Sequence, residues 1–276
     1  LCPSCGMLVG VNDAKCLGCG RGRPGLFGLT ALLRESGLDD LFVPIVMWGC
    51  GALYLASLAM DPSAIGGNGL FLLSPGNTAL FVLGESGAYP VFGYGRWWTV
   101  LSASWLHGSI LHIVFNMMSV RDLGPAVSHF YGGARTLIIY FAAGAAGFLA
   151  SAFAGAFLGF LPGPLHGGMY TVGASAGIFG LLGAVLHYGR RGGSAHIREI
   201  ATRWIISGLA FGFFVPRIDN WAHLGGLAGG YLMSFWLDPF KPERGTHSLV
   251  AVACLLVSIL AIVVSVVTGL PIANRG

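Results

Sequence analysis

The chain has 276 residues, of which 55% are hydrophobic and only 9% charged. A soluble domain carries about 25% charged residues, so this chain cannot clothe a water-facing surface, and an ordinary soluble domain is excluded. The balance predicts an all-α polytopic membrane protein with the lipid bilayer as its solvent; the 45 glycines suit membrane helices that approach closely. The net charge of +4 is no sign of nucleic-acid binding, because membrane topology decides where basic residues fall, and no nucleic-acid partner is expected.

The first element is a head over residues 1–25. Cys2-x2-Cys5 is followed, ten residues on, by Cys16-x2-Cys19. Two such knuckles can wrap four thiolates tetrahedrally around one structural zinc. Gly6 and Gly20 follow the knuckles, where tight turns favour a residue without Cβ. Two disulfides, or iron in the same cage, are the alternatives. A head this small cannot bury a core, so metal would supply its folding energy. It can be a docking module for a protein partner, a regulator or a plain cap. Residues 26–41 read as a linker.

Seven apolar runs follow, at about 42–60, 106–121, 137–157, 172–188, 203–216, 221–237 and 249–270. Seven spans put the termini on opposite sides. With the N-terminus inside, twelve Lys and Arg lie on inner segments and three (Arg96, Arg217, Arg275) on outer ones. This asymmetry predicts a cytoplasmic N-terminus and an outer C-terminus in a multi-pass protein of the plasma (inner) membrane. The first forty residues are polar and cysteine-rich, so no cleavable signal peptide is expected. Met117 and Met118 read as core residues, and Cys50 and Cys254 as small core or lipid-facing hydrophobes within spans.

Polar groups inside a bilayer are costly and tend to be functional. The second span has His107 at its mouth, then His112 and Asn116 at i, i+4 on one face. Ser175 lies near the outer end of the fourth span and His223 near that of the sixth. Taken singly, Ser175 reads as interhelical glue and His223 as a hydrogen-bonded interfacial histidine. Together Ser175, His223, His112 and Asn116 share one depth, which suits a serine hydrolase, while His107 reads as a structural residue at the mouth. His223 would be the base for Ser175. His112, Asn116 and the Ser175 amide would donate to an oxyanion. Phe179, one turn below Ser175, would brace the His223 ring. No carboxylate accompanies the pair, so a Ser-His dyad is expected. Gly173, Gly177 and Gly180 open one side of the fourth span. Gly226 and Gly230 give the sixth a G-x-x-x-G for close contact. The letters Gly173 to Gly177 also fit G-x-S-x-G, but that elbow needs a strand before it and a soluble α/β sheet around it.

The ordered segments HGSILHIVFN, GASAGIFG and AHLGGLAGG resemble the rhomboid family of intramembrane serine proteases over most of residues 40–240. The resemblance implies a six-helix catalytic core at 42–240. It also implies a seventh transmembrane helix within 241–276, flanked by an inner linker and an outer tail. It makes Ser175 the nucleophile and His223 the base. His112, Asn116 and Ser175 would form the oxyanion hole, and no cofactor is needed for the chemistry. Substrates would be transmembrane proteins cut near their outer ends. The loop from Asp61 to Arg96 would be a partly embedded outer loop, with Trp97 and Trp98 as interfacial anchors. The sequence departs from the family in three places. Ala176 follows the serine where Gly is usual. Thr99 follows Trp98 where Arg is usual, with Arg96 as a substitute. No acid follows Leu123-Gly124-Pro125, where Ser128 and His129 stand instead. The competing functions are a catalytically inactive rhomboid-like protein that binds membrane clients, and a transporter, which would need a polar path through the inner halves of the spans.

Overall fold

A computed structural model describes residues 2, 4–10, 13–24, 38–161, 165–192 and 194–273. The greater part of the expected linker, the outer tail beyond 273, and Arg34 and Arg275 lie outside the described residues. The described residues are helical, with isolated β-bridges in place of strands. Among them, nine α-helices run as α1 Leu38–Met60, α2 Asn77–Leu83, α3 Thr99–Ser102, α4 Ile110–Tyr131, α5 Gly133–Phe157, α6 Ser175–Arg191, α7 Ala195–Phe214, α8 Asn220–Trp236 and α9 Gly245–Ala273.

Three of these, α1, α5 and α9, are long and apolar enough to cross a membrane by themselves, and α3 with α4 form a further span broken by a 90° bend. The 17-residue helices α6 and α8 are short for a lone crossing. They are sheltered by α5, whose most apolar window is 67% buried, against 22% for α9. The protein is thus an all-α polytopic membrane protein with α5 at its centre and α9 at its rim. Lipid-facing leucines, valines and isoleucines of α9, such as Leu256, Ile259 and Val267, are exposed.

Several helices outrun their apolar stretches. The second span continues to Tyr131, and Gly132 alone separates it from α5. The fifth begins at Ala195 rather than near residue 203. Its polar first turns are held by the Ser194 cap on His196 N and by the i, i+4 pair Glu199–Arg203. Hydropathy alone misses such solvated turns. Met117 packs against the core, but Met118 is exposed, contrary to the expectation of a core residue. Cys50 is buried and Cys254 half-buried.

An acid does reach the junction of α4 and α5, from a distant part of the chain. Glu243, just before α9, accepts from Arg135 N at 2.8 Å and lies 3.7 Å from Arg135 Nε. A β-carbon at Gly132 would sit 2.6 Å from its carboxylate. The Arg135 guanidinium also donates to Asp238 O and Lys241 O. No acid follows Gly124-Pro125, yet the N-terminus of α5 receives a carboxylate, where negative charge is favoured.

The segment between α1 and α3 packs onto the bundle. Ala79, Leu80, Val82 and Leu83 of α2 are buried, and Tyr54 of α1 donates to Leu73 O. Ser86 and Thr171 exchange both backbone bonds, which ties this segment to the run leading into α6. Trp97 is exposed and Trp98 half-buried. Arg96 is buried, donates to Phe81 O and to Ser265 O of α9, and lies 4.3 Å above the Phe81 ring.

Burial pushes the Glu85 carboxyl in this segment up to about 8, against the pull of Arg96; the Tyr170 hydroxyl also lies in its field. The folded state therefore keeps a proton that the unfolded chain has released. That contribution to stability is present below the ordinary carboxyl range and is lost as pH rises through about 8. Glu85→Gln is expected to flatten the fall in thermal midpoint between about pH 5 and about pH 9. An unchanged slope in the variant would assign the pH dependence to another group.

Candidate active site

Three helix starts converge on one spot. The start of α4 is fixed by Ser109, whose hydroxyl accepts from His112 N at 3.2 Å and donates to Leu70 O at 2.9 Å. The start of α6 is Ser175 itself, after Gly173, whose φ of +135° is a conformation that favours glycine. The start of α8 is capped by Asp219, whose Oδ1 accepts from Ala222 N at 3.0 Å; such a cap contributes about 1 kcal/mol.

Ser175 Oγ lies 3.0 Å from His223 Nε2. The His223 ring stacks on Phe179, with centroids 4.2 Å apart and planes 8° apart, so its rotation is restricted. His223 Nδ1 is buried without a hydrogen-bond partner. For Nε2 to accept the Ser175 proton, the neutral ring carries its own proton on Nδ1.

His112 stands on the other side of Ser175. Gly108 N donates to its Nδ1 at 3.3 Å. A ring nitrogen that accepts leaves the other, Nε2, to carry the proton. A β-carbon at Gly173 would lie 2.6 Å from His112 Nε2 and 3.6 Å from Ser175 Oγ, so the His112 N–H is presented beside the serine. Asn116 is buried one turn on, and its Nδ2 donates to His112 O at 2.9 Å. One of its two amide hydrogens is thus engaged on its own helix. His107 is fully buried with neither ring nitrogen partnered, and its ring packs edge-on against His112 at 5.0 Å.

Helix approach explains the short distance between Ser175 and His223. A β-carbon at Gly226 would collide with Ala176 O, and one at Gly230 with Gly180 O. The glycines of α6 divide their roles more than the sequence suggests. Gly180 meets α5 as well as α8, through Ala143 and Gly226 O. Gly177 faces Tyr140 of α5, and Gly173 faces His112. The fuller α8-facing set is Ala176, Gly180 and Gly183. The methyl of Ala176 is fully buried with Ala103, Phe148 and Ala222. It has room because α5 has no side chain at Gly147, where a β-carbon would lie 2.9 Å from it.

Sequence reasoning passed over one further group. Ser151 of α5 donates to Asp219 Oδ2 and accepts from Gly168 N at 3.0 Å. It thereby joins the cap of α8 to the loop before Ser175. An Asp immediately before the first residue of α8 is a readable cap signal, but its link to Ser151 is tertiary. Thr99, where the family has Arg, is fully buried and donates to Arg96 O.

A family model described as the rhomboid domain matches residues 94–240, more than half of the chain. The chain belongs to the rhomboid family. The matched region takes in all three helix starts. Among relatives, Bacillus subtilis (strain 168) rhomboid protease GluP is 35% identical over 189 residues, 67% of this chain and 34% of its own length. The B. subtilis rhomboid YdcA is 34% identical over 154 residues, 54% of this chain and 72% of its own. RHOMBOID-like protein 5 of Arabidopsis thaliana is 31% identical over 167 residues, 55% of this chain and 47% of its own. The chain therefore spans about a third of GluP and about half of the plant protein.

Away from this rhomboid site, the four head cysteines form a second cluster. Cys2, Cys5, Cys16 and Cys19 have all their sulfurs within 4.8 Å of one another. The closest pairs are Cys2–Cys19 at 3.6 Å and Cys5–Cys16 at 3.5 Å. The two knuckles repeat one pattern. Cys2 N donates to Met7 O and Gly6 N to Cys2 O; Cys16 N donates to Arg21 O and Gly20 N to Cys16 O.

Proposed function

We propose that this rhomboid is an intramembrane serine endopeptidase that hydrolyses peptide bonds of transmembrane proteins near the outer membrane face. The observation that carries the reading is the 3.0 Å contact of Ser175 Oγ with His223 Nε2, on a ring held by Phe179. Ser175 Oγ attacks the scissile carbonyl carbon while its proton passes to His223 Nε2. The oxyanion that forms is met by the His112 Nε2–H, the remaining Asn116 amide hydrogen and the Ser175 amide, which heads α6 and has no partner within the helix. His223 then returns the proton to the leaving amine. Water, deprotonated by the same nitrogen, opens the acyl-enzyme. Gly226 supports the dyad by letting α8 lie against α6. The names rhomboid protease GluP and rhomboid YdcA support the assignment.

Charge supports an orientation with the N-terminus cytoplasmic and the C-terminus outside. It puts the heads of α4, α6 and α8 toward the outer face of the plasma (inner) membrane. Incubation of the purified chain in liposomes with a single-span reporter tests the activity. The expected result is two fragments whose new ends map to the outer third of the reporter span. An intact reporter beside a folded, thermally cooperative protein would instead favour an inactive rhomboid-like protein that binds membrane clients.

We further propose that the head holds one structural zinc on Cys2, Cys5, Cys16 and Cys19. A tetrahedral Zn–S4 centre with bonds of about 2.3 Å has sulfurs about 3.8 Å apart, which the sulfur separations fit. The metal would contribute folding energy and no step of the hydrolysis; a protein partner for the head is the function that fits such a cap. The full chain is expected to carry about one zinc, lost with a strong chelator and in Cys16→Ser. Protease resistance of the head should go with it, while the thermal midpoint of the helix bundle stays. A metal-free chain with a protease-resistant head would contradict the assignment.

A further inference from the structure

α9 is a lipid-facing helix with three buried serines, Ser248, Ser258 and Ser265, the last two almost fully buried. A hydroxyl in such a setting is costly unless it is partnered. Ser258 is partnered twice, both times on the turn that precedes α4: it donates to Leu101 O at 3.0 Å and accepts from Trp105 Nε1. Between those two residues lies Ala103, whose carbonyl accepts from Gly173 N at 3.0 Å. Gly173 is the residue whose β-carbon, were it present, would meet both His112 Nε2 and Ser175 Oγ. From α9 to the reacting atoms there is thus one hydrogen-bonded turn and one backbone bond. Arg96 makes a parallel tie, from Ser265 O to Phe81 O. Nearby, a β-carbon at Gly269 would lie 2.9 Å from Val82 Cα.

We propose that Ser258 is a positioning residue of the active site: it holds the Leu101–Trp105 turn, which in turn sets Gly173 and the spacing between His112 and Ser175. The seventh helix then belongs to the catalytic apparatus and is more than an added anchor. The inference rests on the protease reading above. Loss of the hydroxyl frees the turn, lets Gly173 shift, and misaligns the oxyanion donor from the nucleophile. A displacement of well under an ångström is enough to slow such a step.

The test uses the full chain in detergent or liposomes. It reads three quantities: the rate at which a fluorophosphonate labels Ser175, kcat and KM on a transmembrane reporter, and the thermal midpoint. Ser258→Ala is expected to lower the labelling rate and kcat together by about tenfold, with KM unchanged and Ser258→Thr restoring both. Ser248→Ala, buried lower on the same helix, should change neither. Trp105→Phe removes the ring donor, with some loss of packing against Phe141, and should act in the same direction. The double variant with Ser258→Ala should be no worse than the more severe single, as coupled residues behave. If Ser258→Ala does not fold, Trp105→Phe carries the same expectation by itself. A lower thermal midpoint with wild-type labelling rate and kcat would make Ser258 interhelical glue and overturn the proposal alone. A wild type that does not label overturns the protease reading, and this one with it.

Discussion

Ser175→Ala is expected to lower kcat/KM on a transmembrane reporter by about 10³-fold or more, and His223→Ala to match it. The two groups act as a unit. Without the imidazole, the hydroxyl has no base at hydrogen-bond distance; without the hydroxyl, the imidazole has no nucleophile to serve. The double variant should therefore be no slower than either single. Ser175→Ala should not disturb the fold much, because Ser175 sits at a helix head and is only half-buried, whereas His223→Ala empties a buried space against Phe179 and should lower the thermal midpoint somewhat. The thermal midpoint of Ser175→Ala is the control: it should hold within the range of surface substitutions while activity disappears. His112→Ala should cost less, since Asn116 and the Ser175 amide still face the oxyanion. Retained cleavage by Ser175→Ala would place the nucleophile elsewhere.

Gly226→Val should be nearly as damaging, for a different reason. A β-carbon there collides with the Ala176 carbonyl oxygen, which is backbone and cannot swing aside. The helices must separate, and the 3.0 Å contact between Ser175 and His223 goes with the separation. Overpacking costs about 1–3 kcal/mol of stability, and the loss of activity should exceed what that predicts for the folded fraction. Gly51→Ala is the matched control, because a β-carbon at Gly51 meets nothing within 4 Å. Cleavage and thermal stability should both survive it. If Gly226→Val cleaves at the wild-type rate, the close packing of α6 on α8 is not what sets the dyad.

The membrane class is legible in composition alone, because 9% charged residues cannot solvate a surface of this size. Two helix starts are legible too, since Ser109 and Asp219 are side-chain caps with local signals, whereas the polar first turns of α7 hide its start at Ala195. Helix ends are not. Hydropathy stops at the last apolar residue, while α4 runs on through Arg121 and Asp122 to Tyr131. At the site, residues on separate helices share a depth that hydropathy can estimate, so Ser175, His223, His112 and Asn116 stand out as a group. Their fine roles depend on contacts with no sequence signature. The Asn116 amide is half engaged by the His112 carbonyl. Gly177 faces α5 rather than α8. Glu243 crosses from the far end of the chain to reach Arg135. Ser258 meets Trp105 over a separation of 153 residues. Such long-range pairings are set by which helices pack side by side, and no local pattern encodes them.

The central claim is that one hydroxyl in this membrane domain is a nucleophile made reactive by one histidine. Its most direct measurement is mass spectrometry of the folded chain after treatment with a fluorophosphonate. The account predicts a single phosphonylated serine, Ser175, and no adduct in His223→Ala under the same conditions. An adduct on another serine, or equal labelling of Ser175 with and without the His223 imidazole, would contradict it.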